Sequence, residues 1–141
     1  MTKEQFLTVV IRLRVTQLYY HYCHNLTHGP MFFSYHELFG EFYPEVEVDY
    51  DKIIEYAVAV LGIESIDTET INTLVAEELN EYKIEQMSPE EMIENSLKVE
   101  QDLYSDLNSL FQGSIIGLQN SLGGIAERSD VRQYKLKQLM R

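Results

Sequence analysis

The chain has 141 residues, 45% of them hydrophobic, which is enough for one domain with a buried core over residues 1–141. Its net charge of −12 disfavours DNA binding, because a protein needs lysines and arginines to neutralise phosphates, and favours cations as partners. The chain has no apolar run of about 18 residues, so no membrane span is expected, and its single cysteine predicts a reducing, cytoplasmic location.

A first amphipathic helix is predicted from about Lys3 to the Gly29-Pro30 step. Gly29 suits the left-handed end of a helix, and Pro30 suits the start of the next one. Apolar and aromatic positions recur at helical spacing, as at Phe6, Val9, Val10, Leu13 and Tyr20.

A second helix is predicted from about Phe32 to Leu61-Gly62. It contains Pro44, which lacks the N–H needed for a helical hydrogen bond and therefore predicts a kink or a break.

The rest of the chain also has a helical pattern. An acidic crossover helix is expected between Asp67 and Met87, and the sequence SPEE at 88–91 has the spacing of a capping box that begins a third long helix. The Gly123-Gly124 pair predicts a break, followed by a short final helix from about Ile125 to Met140. Four main helices with a short crossover helix between the second and third long helices imply an all-α bundle.

All four histidines lie between positions 21 and 36, at His21, His24, His28 and His36. His24 falls on the buried stripe of the first helix, directly above Phe6. His24 and His36 lie at equal distances from residue 30, so an antiparallel hairpin would place them face to face. Such a pair could bind a metal, or it could be two hydrogen-bonded core histidines.

Two carboxylates further along the second helix could complete a metal site. Asp51 and Glu55 are four residues apart and share a helix face, although they could equally form a solvated surface. Asp51 lies about 22 Å from His36 along a continuous helix. The two halves could meet if the helix folds back at Pro44. They could also meet if a second copy packs antiparallel about a two-fold axis near Tyr43-Pro44.

The segment HNLTHGPMFFSYHELFGEFYPEVEVDYDKIIEY resembles the Dps mini-ferritins of the ferritin-like superfamily. Their motif has the form H-x11-H-x14-D-x3-E, which His24, His36, Asp51 and Glu55 reproduce, with Gly29 and Phe32 also in place. The resemblance implies iron bound between the two histidines of one subunit and the two carboxylates of another. It also implies a homo-dodecamer that oxidises Fe(II) with peroxide or dioxygen, stores the ferric mineral and protects against oxidative damage.

Other residues agree with that family or depart from it. Glu37 matches a common family choice, and Glu37 and His28 are candidates to support the ligands. Asn25 stands where the family usually has tryptophan, and Gly40 where it often has an acidic residue. The lysine-rich tail with which some members bind DNA is missing. These departures leave open a second interpretation, a non-catalytic Dps-like assembly with weak iron binding.

A metal site inside one bundle is not expected. The carboxylate di-iron bundles use a Glu-x-x-His motif, and no histidine of this chain has a glutamate three residues before it.

Overall fold

A computed structural model of the chain describes residues 2–141, and within that range it contains helices and no strands. The all-α prediction is confirmed. No helix in this range is long and apolar enough to cross a membrane. The helices are α1 (Lys3–Leu26), α2 (Phe32–Leu61), α3 (Thr68–Tyr82), α4 (Pro89–Phe111) and α5 (Ile116–Leu139), with short 3-10 turns at Ile63–Ser65 and Ile84–Gln86.

Helix α1 is the central element of the bundle. It packs against α2, α4 and the crossover helix α3, while α4 packs against α5. The apolar stripe predicted for α1 is buried, and it meets buried side chains from the other long helices. The core includes Phe6, Val9, Val10, Leu13, Phe39, Ile53, Leu103, Leu107, Leu118 and Leu122.

The helix ends follow the local signals in the sequence. Ser88 caps α4 in the predicted capping box with Glu91, and Pro89 occupies the first helical position. Gly29 adopts the left-handed conformation, with φ of 87°, but it lies in the turn and does not cap α1, which ends at Leu26 with Thr27 as an extended C-cap. Pro30 likewise precedes the first residue of α2, Phe32, by two positions. This short turn makes α1 and α2 an antiparallel hairpin.

The predicted break at Gly123-Gly124 is wrong. Helix α5 is continuous from Ile116 to Leu139, so the final helix is 24 residues long and not short. The chain turns instead at Gly113, where φ is 80°. Each glycine costs a helix about 1 kcal/mol relative to alanine, and burial of the flanking residues Leu122 and Ile125 offsets that cost.

A break at Pro44 is also wrong, because α2 runs through it for 30 residues without interruption. Pro44 removes the helical partner of the Gly40 carbonyl. The proline is exposed, whereas Phe42 and Val46 beside it are buried, so water can reach this part of the helix and core packing holds both sides of it. Because α2 does not fold back, one chain cannot bring Asp51 to His36.

Candidate metal centre

The structure brings His24 and His36 together across the hairpin. His24 lies in the last turn of α1, and His36 lies near the start of α2. Their rings stack with centroids 3.8 Å apart and planes inclined by 19°. Both side chains are half-buried.

Each of these histidines is anchored to the backbone of the other. The Nδ1 atom of His24 lies 2.7 Å from the carbonyl oxygen of His36, and the Nδ1 atom of His36 lies 2.8 Å from that of His24. The His24 carbonyl is free for this role because it lies in the last turn of α1, where carbonyls lack helical partners. A carbonyl can only accept, so each Nδ1 must be the protonated nitrogen.

This pairing fixes both histidines in the tautomer that carries its proton on Nδ1, and a neutral imidazole in that tautomer can bind a metal through Nε2. With Nδ1 donating to a carbonyl, the lone pair lies on Nε2. Within residues 2–141 no hydrogen bond occupies either Nε2 atom. The pair is therefore hydrogen-bonded, as the core-histidine interpretation requires, and it also retains two donor nitrogens for a metal.

Aromatic rings hold the pair in place from both sides. Phe32 stacks on His36 at 4.8 Å, and the ring of Tyr43 lies 5.4 Å from that of His24. Tyr43 in turn stacks on His21 at 4.0 Å with nearly parallel planes. This packing restricts rotation of the two imidazoles.

Asp51 and Glu55 lie on the same helix but far from the histidines. Both are exposed, 15 and 19 residues beyond His36 in a continuous helix, so Asp51 is about 22 Å along the axis from His36. Across residues 2–141, no three His, Cys, Asp or Glu side chains of one chain are grouped so that they could bind a metal. One chain therefore carries two separate parts of the predicted ligand set.

The two candidate supporting residues, Glu37 and His28, lie at the surface beside the histidine pair. Glu37 is exposed at the start of α2. His28 is also exposed, and its Nδ1 lies 3.1 Å from the carbonyl oxygen of Leu26. Neither side chain forms a hydrogen bond with His24 or His36 within the part of the chain that the structure describes.

The centre of the bundle contains a charged cluster that the sequence analysis missed. Glu100 is fully buried and accepts hydrogen bonds from the Tyr20 hydroxyl and from Ser129 at 2.7 Å. Arg132 donates to the same carboxylate at 2.8 and 3.1 Å and reaches Glu45 at 2.5 Å. A signal was available, because Glu100 and Arg132 both occupy apolar-stripe positions of their helices.

The buried guanidinium stays charged. Burial by itself lowers the pKa of Arg132, but the charge of Glu100 and the hydrogen bond to it, aided by Tyr20 and Glu45, raise it above its usual range. Burial, followed by the charge of Glu100, also raises the pKa of Tyr20, so its hydroxyl remains a donor. Ferritin-like di-iron proteins place their metal ligands in the bundle core. In this chain the core carboxylate, Glu100, is already bound by Arg132, Tyr20 and Ser129, so it is not available to a metal.

The family follows from the sequence comparison. Residues 12–113 match the model of the ferritin-like domain family, so the chain belongs to that family. Its fold is similar to the X-ray structure of Dps from Thermosynechococcus elongatus, with a TM-score of 0.76 and 23% sequence identity over 99% of this chain and 92% of that chain. No curated protein sequence matches the chain.

Proposed function

We propose that the chain is a Dps-type mini-ferritin that binds Fe(II) between subunits, oxidises it with peroxide or dioxygen and stores the ferric product within a homo-oligomeric shell. The observation that carries this proposal is the locked histidine pair. His24 and His36 each have Nδ1 bound to a carbonyl, so both Nε2 atoms are available to a metal. The fold and family are those in which such a site is expected.

The ligand chemistry suits ferrous iron as a substrate. Two imidazole nitrogens with carboxylate oxygens and open positions are typical of non-haem Fe(II) sites. His24 and His36 supply neutral donors, so the positive charge of the ion must be balanced elsewhere. Asp51 and Glu55 of a neighbouring subunit would supply that balance as carboxylate ligands.

A second copy packed antiparallel on α2 would complete the site. With the two-fold axis near Tyr43-Pro44, Asp51 of the partner subunit lies level with His36. Two apolar side chains on α2, Phe33 and Val48, are 83% and 64% exposed. Fully burying a side chain of this kind contributes about 1.5–3 kcal/mol, so a dimer that covers them would gain stability.

Complementation between two inactive variants tests the shared site. His36→Ala removes a histidine ligand and Asp51→Ala removes a carboxylate ligand, so each homo-oligomer should oxidise Fe(II) well below the native rate. In a mixed dimer, one of the two sites combines the intact histidines of one chain with the intact carboxylates of the other. If half of the dimers are mixed, about one quarter of the native sites are whole.

The measurement is the initial rate of ferric absorbance after aerobic Fe(II) addition to co-refolded shells whose mixing is verified by mass spectrometry. Glu77→Ala removes an exposed carboxylate of α3, outside the proposed interface on α2, and serves as the control, with a native rate expected. Mixed shells as inactive as both parents would contradict the inter-subunit site. A native protein with no rate above the buffer blank would instead support a non-catalytic assembly.

A further inference from the structure

Gly40 on α2 lies directly against the imidazole of His24. A Cβ atom built on Gly40 would lie 3.0 Å from both Cε1 and Nδ1 of His24, and 4.0 Å from its Nε2. The Cε1–Nδ1 edge of the ring therefore faces the helix backbone. Nε2, the nitrogen available to a metal, is the ring nitrogen farther from that position.

The close approach has a geometric cause in the helix. A Cα–Cβ bond tilts toward the N-terminus of its helix, so a side chain at position 40 would lean over the preceding turn. The carbonyl of His36 lies four residues earlier, in that turn, and it accepts the hydrogen bond from Nδ1 of His24 at 2.7 Å. A side chain at position 40 and the His24 ring would thus compete for the same space.

We infer that Gly40 is a positioning residue for the metal ligand His24 in this chain, because its missing side chain lets the His24 ring pack directly against α2 and reach the His36 carbonyl. The inference rests on the proposed function, because it treats the pair as ligands of a divalent first-row transition metal. Gly40 touches neither the metal nor the oxidant. It acts through the ring of His24, whose orientation it permits.

A methyl group at position 40 would disturb this arrangement. Carbon atoms in contact prefer a separation of about 3.5–4.0 Å, so the ring would have to withdraw from 3.0 Å. Withdrawal stretches the bond from Nδ1 to the His36 carbonyl and releases the constraint on the tautomer and direction of Nε2. Loss of such an orienting hydrogen bond typically weakens metal binding by about 10–100-fold.

Two glycine-to-alanine variants separate this effect from a general effect on the helix. Gly123 is also a glycine inside a helix, and a Cβ atom built on it meets nothing within 4 Å. Co(II) is titrated anaerobically into the native protein, Gly40→Ala and Gly123→Ala, and the mass of each assembly is measured by light scattering. We expect affinity to fall by about tenfold or more in Gly40→Ala and to stay native in Gly123→Ala, with the assembly mass unchanged in both.

A thermal double-mutant cycle tests the same contact without metal. Alanine is a better helix former than glycine, so Gly123→Ala should raise the Tm, while the clash with His24 should prevent this gain in Gly40→Ala. In a His24→Ala background the ring is absent, and Gly40→Ala should then raise the Tm as Gly123→Ala does.

The outcomes distinguish this inference from the function on which it rests. If Gly40→Ala binds Co(II) as tightly as the native protein, or if it raises the Tm equally with and without His24, Gly40 has no positioning role. If the native protein fails to bind Co(II), the proposed function fails, and the thermal cycle still decides whether Gly40 holds the ring.

Discussion

Removing the buried guanidinium should destabilise the protein far more than removing a surface cation of the same helix. Arg132→Met keeps an unbranched apolar stem in the core but removes the guanidinium, which leaves the fully buried Glu100 without its counter-ion. The Tyr20 and Ser129 hydroxyls still donate to it, yet breaking one side of a buried pair typically costs about 3–5 kcal/mol. We expect a loss of that size in the free energy of unfolding.

Lys135→Met is the matched control on α5. Its ammonium lies 3.7 Å from Glu41, and both side chains are well exposed. An exposed pair of this kind contributes about 0–1 kcal/mol. Adding Glu100→Gln to Arg132→Met should recover much of the loss, because the second change removes the unpaired charge.

Urea unfolding followed by circular dichroism, at one fixed protein concentration because oligomer stability depends on concentration, gives the comparison. A loss below about 1 kcal/mol for Arg132→Met, equal to that of Lys135→Met, would refute the view that the buried charge pair is an essential part of the core.

The other predictions concern assembly, nucleic acid and pH. Light scattering should give a mass many times the 16.5 kDa of one chain, with a dodecamer expected; a single-chain mass would contradict the inter-subunit site. Plasmid DNA should show no gel shift at about 150 mM salt without divalent cations, since twelve copies carry −144 (12 × −12). Burial raises the pKa of Cys23 from 9.0 to about 12, so a thiol reagent at about pH 8 should label it only after unfolding. Because burial raises the pKa of the Cys23 thiol in the folded state, the protonated thiol contributes stability below about pH 9, and this contribution declines as the pH rises toward about 12. A free energy of unfolding that stays constant over this pH range would contradict the raised pKa of Cys23.

Much of the fold could be predicted because its signals are local. The capping box at Ser88, the left-handed turn at Gly29 and the apolar spacing of α1 each act over a few residues, and the structure agrees with all three. The errors at Pro44 and Gly123 arise where packing outweighs propensity. A weak helix former ends a helix only where the flanking residues would gain no burial from a continuous helix.

The candidate site was predictable to a different extent. The equal spacing of His24 and His36 from the hairpin turn was enough to predict that the two rings meet. The roles of Asp51 and Glu55 depend on a second chain, which no property of a single helix can supply. Glu100 was missed because charged residues are expected on the surface, and its partner Arg132 is 32 residues further along the chain.

The buried ion pair favours a subunit interface over the bundle interior as the place of the proposed metal site. The interior, where related folds can hold metal, contains the Arg132 guanidinium with its carboxylate partners already engaged. The histidine pair near the surface has two nitrogens but no negative charge, and the exposed Asp51 and Glu55 have charge but no imidazole beside them. The histidine pair alone cannot balance the charge of a divalent ion, and the carboxylate pair alone supplies no imidazole ligand. If the association of two chains joins the histidine pair of one to the carboxylate pair of the other, ion binding and association are thermodynamically linked. An ion that binds only the joined site must then strengthen the association of the chains.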